Sequence, residues 1–372
     1  MKEGGCPEGV DSLSILVNIL LIVIAVFLFA FVIFFHEFGH FFTAKLCKIK
    51  VNEFAIGMGP KIFRRTKGET SYSLRLLPIG GYCAMEGEDE ASEDEHAFGN
   101  RPLWQRMLVI VAGAVMNIIL GLLMMAVILS TQKEFATTTI SAFDAGSALE
   151  EAGLMVGDRV MKIDDFTIYN ARDLSFGLGM ADPAHMEITV EREGKPLTLT
   201  DIRLRTTTLE NGRTEVKQDF YVMPGHRTLG NVLTRSVSET YSMMRMVFES
   251  LKGIVNGRFG LKDLAGPVGT AQIIAEAASS GLMDGFGEAV MNILMVMILV
   301  TVNLGIVNLL PIPALDGGRL LFLLYELIFR KPVPPKYEGW IHTAGFVLLM
   351  LLMVVVAFHD IVRLVTGGAV GA

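Results

Sequence analysis

The chain has 372 residues, of which 51% are hydrophobic and 19% charged, with a formal net charge of −7. Soluble domains carry about 25% charged residues and break their apolar content into short segments, so an ordinary soluble protein is excluded. So are a disordered chain and, for want of a clustered basic face, a nucleic-acid binder.

Four runs lack Asp, Glu, Lys and Arg and are 20 residues or longer: Ser12–Phe35, Met107–Gln132, Ala289–Leu315 and Gly339–Phe358. About 20 apolar residues cross a hydrocarbon core, so each run reads as a membrane span. The first is too long for a cleaved leader and lacks a small-x-small site, and is read as a retained helix. Between the first two spans lies a polar stretch, Lys45–Arg106, with ten Lys or Arg. Its glycine-interrupted segments Phe54–Pro60 and Pro78–Tyr82 and the alternating Tyr72–Leu76 predict hairpin strands, and Phe54–Pro60 is expected to offer a strand edge. The acidic run Glu86–Glu95 reads as a solvated loop.

After the second span, Lys133–Glu288 is soluble in composition. Short alternating runs such as Arg159–Ile163 and Met186–Glu191, set off by turn signals, predict a small α+β domain. Helical spacing of apolar residues over Thr228–Val255 predicts an amphipathic surface helix. The loop between the last two spans holds Arg330, Lys331 and Lys336, whereas the tails offer little beyond Lys2 and Arg363. By the positive-inside rule the basic loops are cytoplasmic, and both termini and the α+β segment lie outside. Cys6, Cys47 and Cys83 have no framework spacing and read as incidental thiols.

At the end of the first span, His36-Glu37-Phe38-Gly39-His40 sets two imidazoles four residues apart on one helical face with a carboxylate beside them. This spacing suits a zinc ion bound by His36 and His40, with Glu37 taking the proton of a metal-polarised water. A chance match is the bland alternative, made less attractive by the cost of ionisable groups at membrane depth. A catalytic zinc needs a third protein ligand. In the third span Pro311 and Pro313 must break the helix, and Asp316 follows at its end. Asp316 is the candidate third ligand; the competing reading makes it a helix cap. Asn303 and Asn308 are either interhelical glue or a grip on substrate backbone. Asn117, close to the small Gly113 and Ala114, reads as a packing residue.

These residues give the chain its resemblance to the site-2 protease family of intramembrane zinc metalloproteases, in its bacterial PDZ-containing, RseP-like branch. The motifs are His36–His40, Gly57-Met58-Gly59-Pro60, Pro78–Tyr82 and Asn308–Gly317. Two departures, Ala114 where a proline commonly stands and Arg319 where some relatives have His, fall outside the candidate ligands. The resemblance implies Zn2+ held by His36, His40 and Asp316, Glu37 as catalytic base, and Asn303 and Asn308 as substrate-holding residues; Gly57 and Gly59 join them as candidates through the hairpin. It further implies substrates that are transmembrane segments of single-span proteins, such as anti-sigma factors or signal-peptide remnants, cut in regulated proteolysis after an upstream site-1-type protease. Localisation is the bacterial inner membrane with the site near the cytoplasmic side. A non-proteolytic scaffold and a metal transporter are the competing classes; an intact Glu37 and the lack of internal repeats speak against them.

The expected architecture is a polytopic α-helical membrane protein with one extracytoplasmic PDZ-like α+β domain. Its parts are a first span at 12–44, a membrane-associated β-hairpin region at 45–106, a second span at 107–132 and the PDZ-like domain at 133–204. A connector with the amphipathic helix follows at 205–288, then a third span with its Leu-Asp-Gly motif at 289–327, a cytoplasmic loop at 328–338 and a fourth span at 339–365.

Overall fold

A computed structural model describes residues 12–88, 90, 92–208, 214–216, 218–257, 260 and 264–366. Lys2 and Cys6 lie outside the described residues. In chain order the elements are α1 (Ser12–Leu46), β1 (Val51–Lys67), β2 (Thr70–Met85), α2 (Leu103–Thr131), β3 (Glu134–Phe143), α3 (Ala148–Glu151), β4 (Arg159–Ile163) and β5 (Phe166–Thr167). They continue with α4 (Ala171–Met180), β6 (Met186–Arg192), β7 (Lys195–Ile202), β8 (Thr206–Thr208), β9 (Thr214–Val216), β10 (Phe220–His226) and α5 (Leu229–Val255). The last four are α6 (Pro267–Asp284), α7 (Phe286–Asn308), α8 (Asp316–Phe329) and α9 (Pro335–Thr366). Among the described residues, Leu16–Leu46, Leu103–Thr131, Phe286–Asn308 and Lys336–Thr366 are long and apolar enough to cross a membrane.

The chain forms two compact units, residues 1–121 with 267–354 and residues 122–266 with 355–372. In the first, α1 meets α2 at glycines: a Cβ on Gly39 would lie 2.5 Å from the Ala112 carbonyl oxygen. Small residues at such a crossing let two backbones approach where no hydrophobic gradient drives them together. The two prolines end α7 at Asn308, and α8 starts afresh at Asp316. The connecting turn folds back onto the glycines that follow, since a Cβ on Gly317 would meet the Leu310 oxygen at 2.1 Å and one on Gly318 the Ile312 oxygen at 2.5 Å. Ala314, at φ 74°, is left-handed, and its N–H donates to His342 Nδ1 at 2.9 Å.

β1 and β2 pair as an antiparallel hairpin with doubled registers: Phe54 faces Cys83 on one side and Tyr72 on the other. Segment 53–56 is therefore central, with both edges occupied. Residues 54–56 therefore lack the free edge expected of Phe54–Pro60, whose remaining residues form the bend; the edge runs are 61–67 and 81–85. The doubling requires bends, supplied by Gly57, Gly59 and Gly80 at φ 83°, 86° and 82°. Glu53 ties the bends together, accepting from Ser73 Oγ at 2.7 Å and Lys61 Nζ at 3.1 Å, while Arg75 donates to the Gly59 carbonyl at 2.9 Å. Burial opposes the Glu53 charge, yet hydrogen bonds from Lys61, Ser73, Tyr82 and Arg75 outweigh it and hold the carboxyl down at about 2. Aromatic contacts dock the sheet on α1, with Phe41 and Phe54 ring centroids 4.9 Å apart and Phe34 and Phe54 6.0 Å apart.

In the second unit a sheet of order β10-β3-β4-β6-β7, with β5 on β4, packs around Ile140, Val160, Ile163, Met186, Ile188 and Val190. β10 joins this sheet although it lies past the expected boundary at residue 204; its Pro224 and Gly225 conceal it as a strand. α5 is capped by Thr228 Oγ1, which accepts from the Asn231 N–H at 3.1 Å, and it packs on α4 through polar groups. Asn170 Nδ2 donates to Ser242 Oγ at 2.7 Å, and that hydroxyl donates to the fully buried Asp173 at 2.9 Å. Burial pushes the Asp173 carboxyl up, against the Tyr169 N–H, Ser242 and Arg245.

A Cβ on Gly57 would lie 2.4 Å from the Leu77 carbonyl oxygen, on a backbone that side chains avoid. We expect Gly57→Ala to cost on the order of 1–3 kcal/mol. The check is a lowered thermal midpoint in detergent together with faster proteolytic nicking between residues 51 and 85.

Candidate metal centre

α1 is continuous through His36 and His40, so the four-residue spacing brings both rings to one face. The two Nε2 atoms are 3.3 Å apart. Asp316, in the first turn of α8, places Oδ2 3.2 Å from His36 Nε2 and 3.3 Å from His40 Nε2. The start of a helix favours a carboxylate, because the unpaired N–H groups there carry partial positive charge. Both histidines are buried. Asp316 Oδ2 is also buried, with no amide or hydroxyl donating to it. Among the described residues these three form the one group of His, Cys, Asp or Glu whose donor atoms converge.

α2 backs this triangle along one face. The Val109 carbonyl lies 2.9 Å from His40 Nδ1, and Asn117 Nδ2 lies 3.3 Å from His36 Nδ1. Between them Gly113 leaves room for the rings; a Cβ there would come within 2.3 Å of His40 Nε2 and 2.8 Å of His36 Cε1. Residues 109, 113 and 117 are spaced by four and share a face. By sequence alone Gly113 and Asn117 read as helix-packing residues. The close approach is real, but the imidazoles exploit it, and no sequence signal separates the two uses. A carbonyl such as that of Val109 has no sequence signature at all.

Glu37 sits about 100° round the helix from His36 and takes no part in the triangle. It lies against the edge run 81–85, where a Cβ on Gly81 would be 3.1 Å from Glu37 Cγ and the Cys83 backbone amide is a hydrogen-bond partner. The adjacent Cys83 thiol is pushed up by burial and then by the Glu37 charge. Asn308 reaches the site, with Nδ2 3.2 Å from His36 Nε2. Asn303 is exposed on α7, five residues before Asn308. Gly57 and Gly59 lie in the bends of the sheet.

The sequence profile of Peptidase family M50 matches residues 24–352. The chain belongs to this family, the site-2 proteases. A relative from Clostridium perfringens that carries a zinc-metalloprotease name is 38% identical over 342 residues, 92% of this chain and 98% of the relative. The zinc metalloprotease RasP of Shouchella clausii is 31% identical over 434 residues, 93% of this chain and 99% of the relative. The regulator of sigma-W protease RasP of Bacillus subtilis is 29% identical over 422 residues, 91% of this chain and 97% of the relative. The protease is thus a membrane zinc metalloenzyme of the RseP-like branch, and zinc is its cofactor.

The donor set fits that ion. Tetrahedral zinc with bonds of about 2.0–2.1 Å keeps its ligand atoms about 3.3–3.4 Å apart, which the His36, His40 and Asp316 spacings of 3.2–3.3 Å match. Two ring nitrogens and a carboxylate oxygen sharing one buried point is a set that a single proton satisfies poorly and a cation satisfies fully.

Gly113→Ala tests the backing face. A methyl group at 2.3 Å from His40 Nε2 must displace an imidazole, so the variant should purify with less than about a tenth of wild-type zinc by atomic absorption while the helical circular-dichroism signal persists. Full zinc occupancy in the folded variant would show that the rings do not depend on this gap.

Proposed function

We propose that the protease is an intramembrane endopeptidase that cuts the transmembrane segments of single-span proteins, with His36, His40 and Asp316 holding zinc and Glu37 acting as the base. One observation carries this reading: the three donor atoms converge at 3.2–3.3 Å, two of them on a helix long and apolar enough to cross a membrane and the third at the start of α8, just past the break that ends another such helix. Bound zinc supplies a Lewis acid for the scissile carbonyl and lowers the pKa of water. Glu37 removes a proton from that water as its oxygen bonds to the carbonyl carbon, then passes the proton to the amine nitrogen as the C–N bond breaks. Glu37 is placed for this by lying beside the donor atoms without being one of them.

A helical substrate must unwind before its carbonyl is accessible, and the freed N–H and C=O groups need partners in lipid. Strand run 81–85, next to Glu37, is the edge we assign to this pairing, in the manner of β-augmentation. Gly57 and Gly59 serve it indirectly, by bending the sheet so that this run faces α1. Asn308, beside His36, is placed to bond the substrate backbone from the other side, and we keep Asn303 as a contact farther along α7. Basic residues between positions 45 and 106 and at Arg330, Lys331 and Lys336 support both termini outside the inner membrane and a site near the cytoplasmic face. The β3–β10 sheet with α4 is read as a PDZ-like domain that excludes substrates whose outer part has not been trimmed by a site-1-type protease. Natural substrates of the anti-sigma-factor or signal-peptide-remnant type suit these features.

In Glu37→Gln the donor atoms are untouched and the base is gone. Zinc content should remain at wild-type level, and cleavage of a model transmembrane peptide in detergent should fall by about 10²–10⁴-fold. Wild-type cleavage should also be lost on chelation and restored by zinc. Turnover persisting in the zinc-loaded variant would remove Glu37 from the mechanism.

A further inference from the structure

His40 and His36 are held from behind in different ways, and the difference assigns a role to Asn117. Val109 presents a carbonyl to His40 Nδ1 at 2.9 Å, and a carbonyl only accepts. His40 therefore carries its proton on Nδ1 and turns the lone pair of Nε2 toward Asp316. His36 must do the same if its Nε2 is to give a lone pair to a cation, because a neutral imidazole has one N–H and one acceptor nitrogen. Its Nδ1 then needs an acceptor. The group at that position is the fully buried amide of Asn117, with Nδ2 3.3 Å from His36 Nδ1 and with Oδ1 buried and unpartnered. Half a turn about the Cβ–Cγ bond exchanges the two atoms. It gives Nδ1–H an acceptor and the stranded oxygen a donor.

We propose that Asn117 is a positioning residue that selects the metal-binding tautomer of His36, its Oδ1 accepting the Nδ1–H as the Val109 carbonyl does for His40. The inference rests on His36 being a zinc ligand. The residue is set for this task by its backbone as well, because Thr301 Oγ1 on α7 donates to the Asn117 carbonyl at 3.2 Å, clamping this turn of α2. Gly305 adds to the clamp: a Cβ there would lie 3.0 Å from the Ala114 oxygen and 3.4 Å from Asn117 Cβ. The amide therefore has little freedom except rotation about its own bond. Residues one step behind a metal ligand typically change metal affinity by about 10–100-fold when removed.

The test uses the full-length protein in detergent, with zinc affinity measured by competition against a graded series of chelators and the visible spectrum of the cobalt-loaded form as a second readout. Asn117→Leu fills a similar volume without an acceptor and should weaken zinc by about 10–100-fold with altered cobalt bands. Asn117→Asp keeps the acceptor and loses the N–H; it should stay within about threefold of wild type and preserve the bands. Thr301→Val removes the hydroxyl from the Asn117 carbonyl and leaves the side-chain amide; it loosens the clamp only, and should weaken zinc far less than Asn117→Leu does. Wild-type affinity in Asn117→Leu overturns the proposal, as does an Asn117→Asp variant as weak as Asn117→Leu, which would mean that the N–H is the needed group. Equal losses in Thr301→Val and Asn117→Leu would also overturn it, in favour of plain helix packing. Should Asn117→Leu not fold, Asn117→Ala carries the same expectation. His36→Ala in the same assay separates the two levels: retained zinc there refutes the ligand assignment, whereas zinc lost there and kept in Asn117→Leu refutes only the role of Asn117.

Discussion

Bringing a carboxylate and two imidazoles together where water is scarce is costly, and an incomplete set leaves a buried charge without compensation. The convergence of His36, His40 and Asp316 therefore demands backing from every side, and much of the first unit follows from that demand. α1 stays unbroken so that its two rings meet edge to face, with centroids 4.9 Å apart. α7 ends at two prolines so that a fresh helix can present its first carboxylate to them. α2 contributes no ligand, yet its face at 109, 113 and 117 supplies a carbonyl, a gap and an amide, all directed at the rings.

The sheet formed by β1 and β2 adds a different kind of support. Its aromatic contacts with Phe34 and Phe41 fasten it along α1, and its glycine bends let two strands fill four positions. The price of this folding is that residues 53–56 have both edges occupied. Two runs remain open, 61–67 and 81–85, and the second passes the carboxylate of Glu37. Position along a sheet, rather than the presence of a motif, decides which backbone groups remain available to a second chain.

Much of this was legible in the sequence, for identifiable reasons. Hydrophobic length alone announces the four apolar helices. Chemistry with a strict helical period announces His36 and His40, and prolines inside an apolar run announce the break that delivers Asp316. What escaped was set by tertiary neighbours. Phe220–His226 joins the sheet next to β3, although a Pro and a Gly disguise it. α6 escaped notice because its small residues, such as Gly281, which packs against Ala289, have no pronounced apolar face. Asn117 was visible as a polar group in lipid, but its partner could be named only once α1 and α2 were crossed. The double pairing of Phe54, with Cys83 on one side and Tyr72 on the other, likewise depends on a fold-back that local alternation does not encode.

The break between α7 and α8 also bears on the order of biogenesis. The imidazoles enter the membrane with the first hydrophobic helix, whereas the carboxylate arrives only after most of the chain has been translated. A nascent polypeptide can offer a passing cation two nitrogens at most, and closing so long a loop carries an entropic cost that only the packed helices offset. The three-donor group is therefore complete only once α8 has packed against α1.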